Sequence, residues 1–514
     1  MNDQPTAADA LAVKRFTNAA GCVATIPPGL AIPLNAVIEL HQEGAGQVEV
    51  AAGTGVTIQS ADGARKTSMQ FAAAGIRRVG DNIYTLFGDI EGTGSGGGGS
   101  PDPGLESAIA VGGGAVGSGA TYQVRPDNMD GMQSYAVFAF GTRYQTNDGA
   151  ARGTAQVGFG HRTYYSGSNY ARNCWAKSRS GLANTETVRR ASFKNSLIAL
   201  DSVGGAYSTH EIEPTLQVGG VDLYAAKIVG SEQLIASALV LSGEDCYFWN
   251  NAWNLGTDLW ASFGNQAWDY NLGYNPMCTI FYSTDRAHDS IGQSSGFSFT
   301  IGFATQTEQR CVAMAESNGV SEGSPRLRLF DDKVAAGLAA NGAMNWGLAY
   351  TPNPDGFLLT QSSGNGGNGN NAEVNSLAIE NGTKRCKIVD FDIPTGTGPW
   401  SISGCPFTPS SAILVLTTQQ VVGPGPITIA NQQTGFGIAF VSTDSVTSHT
   451  IRIASEAETT DTAQSASIGE IILSKQATDR ALRATFDTWL ANGVLLDVIS
   501  GLPGGGKGFA VFFE

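Results

Sequence analysis

The stretch Ala412-Ile413-Leu414-Val415-Leu416-Thr417-Thr418 decides the fold. It is a short apolar run rich in β-branched residues and closed by threonines, the pattern of a buried strand and too short for a helix. The same phrase appears at Ala136 to Thr142 (AVFAFGT) and at Cys278 to Thr284 (CTIFYST), with closing threonines 142 and 134 residues apart. A second element follows each run after 16, 18 and 19 residues: Gly158-Phe159, Gly302-Phe303 and Gly437-Ile438. A third strand comes next, around Arg172-Asn-Cys174-Trp-Ala, Arg310-Cys311-Val-Ala and Thr450-Ile451-Arg-Ile. Each unit closes with a glycine and a leucine three positions on: Gly220-Val-Asp-Leu223, Gly356-Phe-Leu-Leu359 and Gly493-Val-Leu-Leu496. A period of this length describes an independent β domain rather than a solenoid coil.

The triplication predicts three β-sandwich domains of jelly-roll type over 105–243, 244–382 and 383–514. Cys246 and Trp260 are 14 positions apart, as are Cys386 and Trp400, and Gly256-Thr257 matches Gly396-Thr397 between them. By this spacing Trp260 corresponds to Trp400, and Cys174 and Cys311 align with Ile451. Gln476 to Leu490 fits helical spacing through Leu482, Phe486, Trp489 and Leu490, and also alternates with period two. The corresponding stretches carry Pro214, Pro352 and Pro354, so a strand is expected.

Ahead of the triplicated part, residues 1–90 read as a small β module. Val48-Glu-Val50 and Val56-Thr-Ile58 alternate, Gly44-Ala-Gly46 and Gly53-Thr-Gly55 mark turns, and a strand near Asn82 to Phe87 closes it. Residues 91–104 (EGTGSGGGGSPDPG) form a Gly/Ser/Pro linker between the two parts. The fold class is therefore all-β: N-terminal module, linker, three tandem sandwiches.

Composition narrows function. Glycine numbers 67 of 514 residues without a three-residue period, which excludes a collagen-like rod. A formal charge of −15 opposes binding to nucleic acid or anionic lipid. No apolar run is long enough to span a bilayer, and the N-terminus carries no secretory pattern, so synthesis in a cytoplasm without membrane insertion is expected. Seven scattered cysteines with no Cys-x-x-Cys and five histidines predict buried apolar thiols, with no metal and no cofactor.

Several motifs invite a chemical reading and each has a structural alternative. Gly501-Leu-Pro-Gly-Gly-Gly506-Lys507-Gly508 has the outline of a phosphate-binding loop, but Gly508 replaces the metal-binding hydroxyl and no helix follows. A tight turn before a terminal strand is expected there. Gly112-Gly-Gly114-Ala-Val-Gly117 mimics a dinucleotide turn, again without a helix. Gly292-Gln-Ser294-Ser-Gly296 mimics a nucleophile elbow, yet Phe297 to Ile301 alternates as a strand. Asp331-Asp332 reads as a solvated turn. No catalytic residues are assigned, and a non-enzyme is expected.

Tyr247 to Tyr274 is the one binding candidate. Trp249, Trp253, Trp268, Tyr270 and Tyr274 are interleaved there with Asn250 and Asp269, and flat aromatic faces beside amides and carboxylates suit sugar rings. Core or interface packing of the tryptophans is the alternative.

The module bearing Ile32-Pro-Leu-Asn-Ala-Val-Ile-Glu-Leu40, Gly53-Thr-Gly55-Val-Thr-Ile58 and Tyr84-Thr-Leu-Phe-Gly88 resembles a small β domain of tailed-bacteriophage virion proteins. The triplicated unit, best at Gly302-Phe-Ala304 and Asp355-Gly-Phe-Leu-Leu359, is similar to repeated β-sandwiches of phage tail-fibre-like proteins. The first and third copies depart from that pattern at Gly160 and at Asn492-Gly-Val. The resemblance implies a tail fibre or receptor-binding component on the virion surface that mediates adhesion to host polysaccharide. It further implies contact with other virion proteins through the N-terminal module, and a homo-oligomer, by preference a trimer. A head decoration or head-fibre protein is the second reading, and a polysaccharide depolymerase the third.

Overall fold

The structure is a computed structural model. It describes residues 2–91 apart from 4, 7–12, 34–35, 61–64, 68–72 and 89, and within 106–514 the strands with most of their shorter turns. Longer connections, among them 92–105, 113–120, 125–133, 145–153, 180–187, 243–247, 255–266, 285–296, 317–325, 364–372, 380–384, 420–432 and 455–461, lie outside the described residues, and the Gly-rich linker falls there. The chain divides into two compact units, Met1–Asp102 and Pro103–Glu514. Every regular element among the described residues is a strand.

In the first unit the chain winds back and forth between two five-stranded sheets. Strands β1 (Asn2–Asp3), β3 (Cys22–Ile26) and β5 (Val48–Ala52) pair in parallel in one sheet, extended by β7 (Lys66–Thr67) and β10 (Ile90–Glu91). Strands β2 (Val13–Phe16), β4 (Val37–Gln42), β8 (Ala73–Gly80), β9 (Ile83–Gly88) and β6 (Thr57–Gln59) form the other in that order. Alternation is strict, with Cys22, Ala24 and Ile26 buried and Val23 and Thr25 half-buried, so Ile38, Leu40, Val48, Val50, Ile76 and Leu86 meet in one core. Gly44 has to be glycine, because a Cβ would sit 2.0 Å from the Asn18 carbonyl oxygen.

The second unit repeats one ten-stranded plan three times. In the third copy β31 (Cys386–Ile393), β40 (Gly506–Phe513), β33 (Ser411–Thr417), β34 (Gln433–Ser442), β35 (Val446–Ala454) and β36 (Thr462–Ile468) make a six-stranded antiparallel sheet in that order. Against it lies a four-stranded sheet of β32 (Gly398–Ser403), β39 (Gly493–Ser500), β38 (Leu482–Leu490) and β37 (Ile471–Leu473). Strands β11–β20 (Glu106–Ser242) and β21–β30 (Phe248–Ile379) follow the same order, shifted by ten or twenty elements. Of the ambiguous stretch, Leu482–Leu490 is a strand, and residues 476–480 lie outside the described residues.

The apolar runs are continuous because these central strands are buried on both faces. All seven residues of β33 are buried. Ala412, Leu414 and Leu416 enter the interior of the third sandwich with Trp400, Leu482 and Val494, whereas Ile413 and Val415 point the other way. There they join Phe138 and Phe159 of the first copy and Ile280, Phe299 and Phe303 of the second in one core shared by all three. The packing is cyclic. Strand β16 (Val188–Ser192) contacts β24 (Phe297–Ala304), β26 (Arg326–Phe330) contacts β34, and β36 contacts β14 (Thr154–Tyr165). One chain thus builds a pseudo-threefold body, with six-stranded sheets inward and four-stranded sheets outward.

Sheet register corrects the equivalences drawn from spacing. Gly141, Phe281 and Leu416 pair with Gly158, Gly302 and Gly437, so the residue matching Thr142 is Tyr282 in the second copy and Thr417 in the third. Trp400 pairs with Leu496 as Trp268 pairs with Leu359, so Trp268, not Trp260, is its counterpart. The connection 255–266, against 394–397 in the third copy, accounts for that slip. Cys174 faces the shared core and Cys311 the interior of its own sandwich, so these thiols are not equivalent.

Candidate functional site

The interfaces between copies carry the most specific side-chain chemistry. His449 of the third copy bridges two residues of the first, with Nδ1 3.1 Å from Thr142 Oγ1 and Nε2 2.7 Å from Ser237 Oγ. Ser237 also meets Thr447 Oγ1 at 2.8 Å. Between the first and second copies, Tyr282 OH lies 2.8 Å from His161 Nδ1 and donates to the Arg172 carbonyl at 3.0 Å. Between the second and third, Arg310 pairs with Asp390 and Lys387 with Glu308. Desolvation holds the His449 imidazole down at about 3, and desolvation aided by Arg172 does the same to His161, so both are neutral. The two histidine clusters are buried, and together with the partly exposed ion pairs they fasten the copies together.

The aromatic stretch of the second copy is divided between its two sheets. Trp249, Asn250 and Trp253 lie on β21 (Phe248–Asn254), opposite Ala378, Leu377 and Val374. Trp268, Asp269 and Tyr270 lie on β22 (Ala267–Asn271) of the four-stranded sheet, opposite Leu359, Leu358 and Phe357. Tyr270 is half-buried and packs on Phe357 with ring centroids 5.2 Å apart, against the interior of the sandwich. Trp268 occupies the register position of Trp400, which is buried in the third copy. Tyr274 is half-buried beyond the end of β22.

Of the remaining motifs, residues 501–505 make a turn with positive φ at Gly504 (80°) and Gly505 (69°), and Gly506-Lys507-Gly508 begin β40, which lies between β31 and β33. Asp331-Asp332 is an exposed bend, with Asp332 paired to Lys333. The dinucleotide-like glycines beyond Gly112 and the segment Gly292–Gly296 lie outside the described residues. Five of the six described cysteines are buried, and burial pushes the Cys311 thiol up. Among the described residues no group of three or more His, Cys, Asp or Glu is placed to hold a metal ion, and no helix is long and apolar enough to cross a membrane.

An open hollow of about 260 Å³ sits on the four-stranded sheet of the third sandwich, lined by Pro399, Thr485, Phe486, Asp487, Leu496 and Asp497. Thr485 pairs with Asp497, and Asp497 with Pro399, across three adjacent strands. Register then slips between Phe486 and Thr488, making Asp487 the extra residue of a β-bulge that re-aims the strand locally. Asp487 and Asp497 are exposed, Phe486 is half-buried with its centroid 5.3 Å from that of Trp489, and Leu496 is buried. Sequence reading missed this site because its members are far apart in the chain and the bulge breaks the period-two reading of 482–490.

No protein-family model matches the chain, and no curated protein matches it significantly.

Proposed function

We propose that the chain is a non-enzymatic structural protein of a tailed-bacteriophage virion, a tail fibre or receptor-binding component that holds host-surface polysaccharide. The supporting observation is the pseudo-threefold body, which turns three four-stranded sheets outward around one buried core. Such a body presents much rigid sheet surface, which suits adhesion. The threefold grouping that the phage resemblance implies for an oligomer exists here within a single chain. The small N-terminal module is the part assigned to contact with other virion proteins.

Immunogold labelling of intact particles tests the reading. Label on the tail, together with competition by the purified protein for adsorption to host cells, is the expected result. Label confined to the capsid selects a head decoration or head fibre instead. Release of new reducing ends from host capsule or lipopolysaccharide would make the protein a depolymerase.

A further inference from the structure

We propose that the hollow on the third sandwich binds one sugar ring, neutral or amino-substituted, and rejects acidic sugars. This inference rests on the adhesion reading and gives it a ligand class. The lining offers both halves of sugar recognition. The half-exposed Phe486 and the exposed Pro399 supply apolar surface for the C–H face of a pyranose, and Asp487, Asp497 and the Thr485 hydroxyl supply polar partners. Sugar hydroxyls or an ammonium donate to the carboxylates, and such charge-assisted bonds are roughly twice as strong as neutral ones. A uronate, sialate or phosphate brings like charge against two carboxylates and is repelled. At about 260 Å³ the hollow is smaller than a site for a drug-sized molecule, which suits a single ring.

Among the described residues the site occurs in the third copy alone. The positions of Thr485, Phe486 and Asp497 are held by Ala349, Tyr350 and Thr360 in the second copy and by Glu213, Pro214 and Tyr224 in the first. The bulge that inserts Asp487 has no counterpart in either. Divergence of the copies has therefore gathered both carboxylates and the bulge on one outer sheet of three.

Saturation-transfer NMR and calorimetry on the intact protein test this, with N-acetylglucosamine, galactose, glucosamine, glucuronate and N-acetylneuraminate as probes. The expected result is binding of at least one neutral or amino sugar with 1:1 stoichiometry and of neither acidic sugar. Asp487→Asn and Asp497→Asn, both at exposed positions, should each weaken binding at least tenfold with unchanged circular dichroism, while Thr360→Asn in the second copy leaves it intact. Absence of sugar binding, equal binding of acidic sugars, full affinity in both Asp variants, or saturation by calcium alone would each overturn the proposal. Sugar binding without virion label removes the adhesion reading and leaves the hollow standing; tail label without sugar binding does the reverse.

Discussion

Arg310 of the second sandwich forks onto Asp390 of the third, with Nε 2.7 Å from Oδ1 and Nη2 2.5 Å from Oδ2. The two residues are far apart in sequence and lie on different copies, so the pair exists only when the body is assembled. Its planar two-point geometry is the strongest form of an ion pair, although Asp390 is half exposed and solvent screens it. Asp390→Asn should lower stability by about 1 kcal/mol or less. Exchanging the charges, Arg310→Asp with Asp390→Arg, should recover part of that loss in a urea titration, whereas either reversal alone should not.

Acid should loosen the body through its buried histidines. His161 and His449 are held near pKa 3 in the fold and return to about 6.5 on unfolding, so the unfolded chain binds more protons between those values. Their contribution is constant above pH 6.5 and is lost as pH falls toward 3, at about 1.4 kcal/mol per pH unit for each histidine. Thermal melts from pH 7 to 4 should show this slope, and His449→Gln should flatten it. A melting temperature independent of pH over that range would contradict the assignment.

Gly302 lies where strand and turn approach too closely for a side chain. A Cβ there would meet the Val334 carbonyl oxygen at 2.0 Å and Cys311 Cβ at 2.6 Å. Gly302→Ala should therefore destabilise by about 1–3 kcal/mol through overpacking. Gly396→Ala, in open space at positions of the same unit, should cost far less in the same denaturant titration.

Because the six-stranded sheets cover one another within the chain, residues 103–514 should sediment as one chain at micromolar concentration. A threefold mass would contradict this expectation.

The triplication and the strands were legible in sequence because glycines and prolines punctuate them and apolar runs mark the core. Register was not. Thr142, Thr284 and Thr418 look equivalent, yet hydrogen bonding matches Thr142 with Tyr282 and Thr417. A strand with one wet face announces its register through alternating polarity, and a one-residue slip is then visible at once. Strands such as β33 are apolar on both faces, so a slip leaves the pattern unchanged. The longer connection 255–266 led the spacing to pair Trp400 with Trp260 rather than Trp268, and the hollow stayed hidden because its members lie far apart in the chain and the register slips at Asp487.

The covalent fusion of the three sandwiches has a genetic consequence. In a trimer of identical chains every substitution arrives three times, so a change at a contact must suit all three interfaces together. Here it arrives once. His449 can be matched to Thr142 and Ser237 at one interface while the other two are fastened by Tyr282 with His161 and by Arg310 with Asp390. One sandwich is then free to accumulate substitutions on its outer sheet while its two siblings hold the scaffold constant.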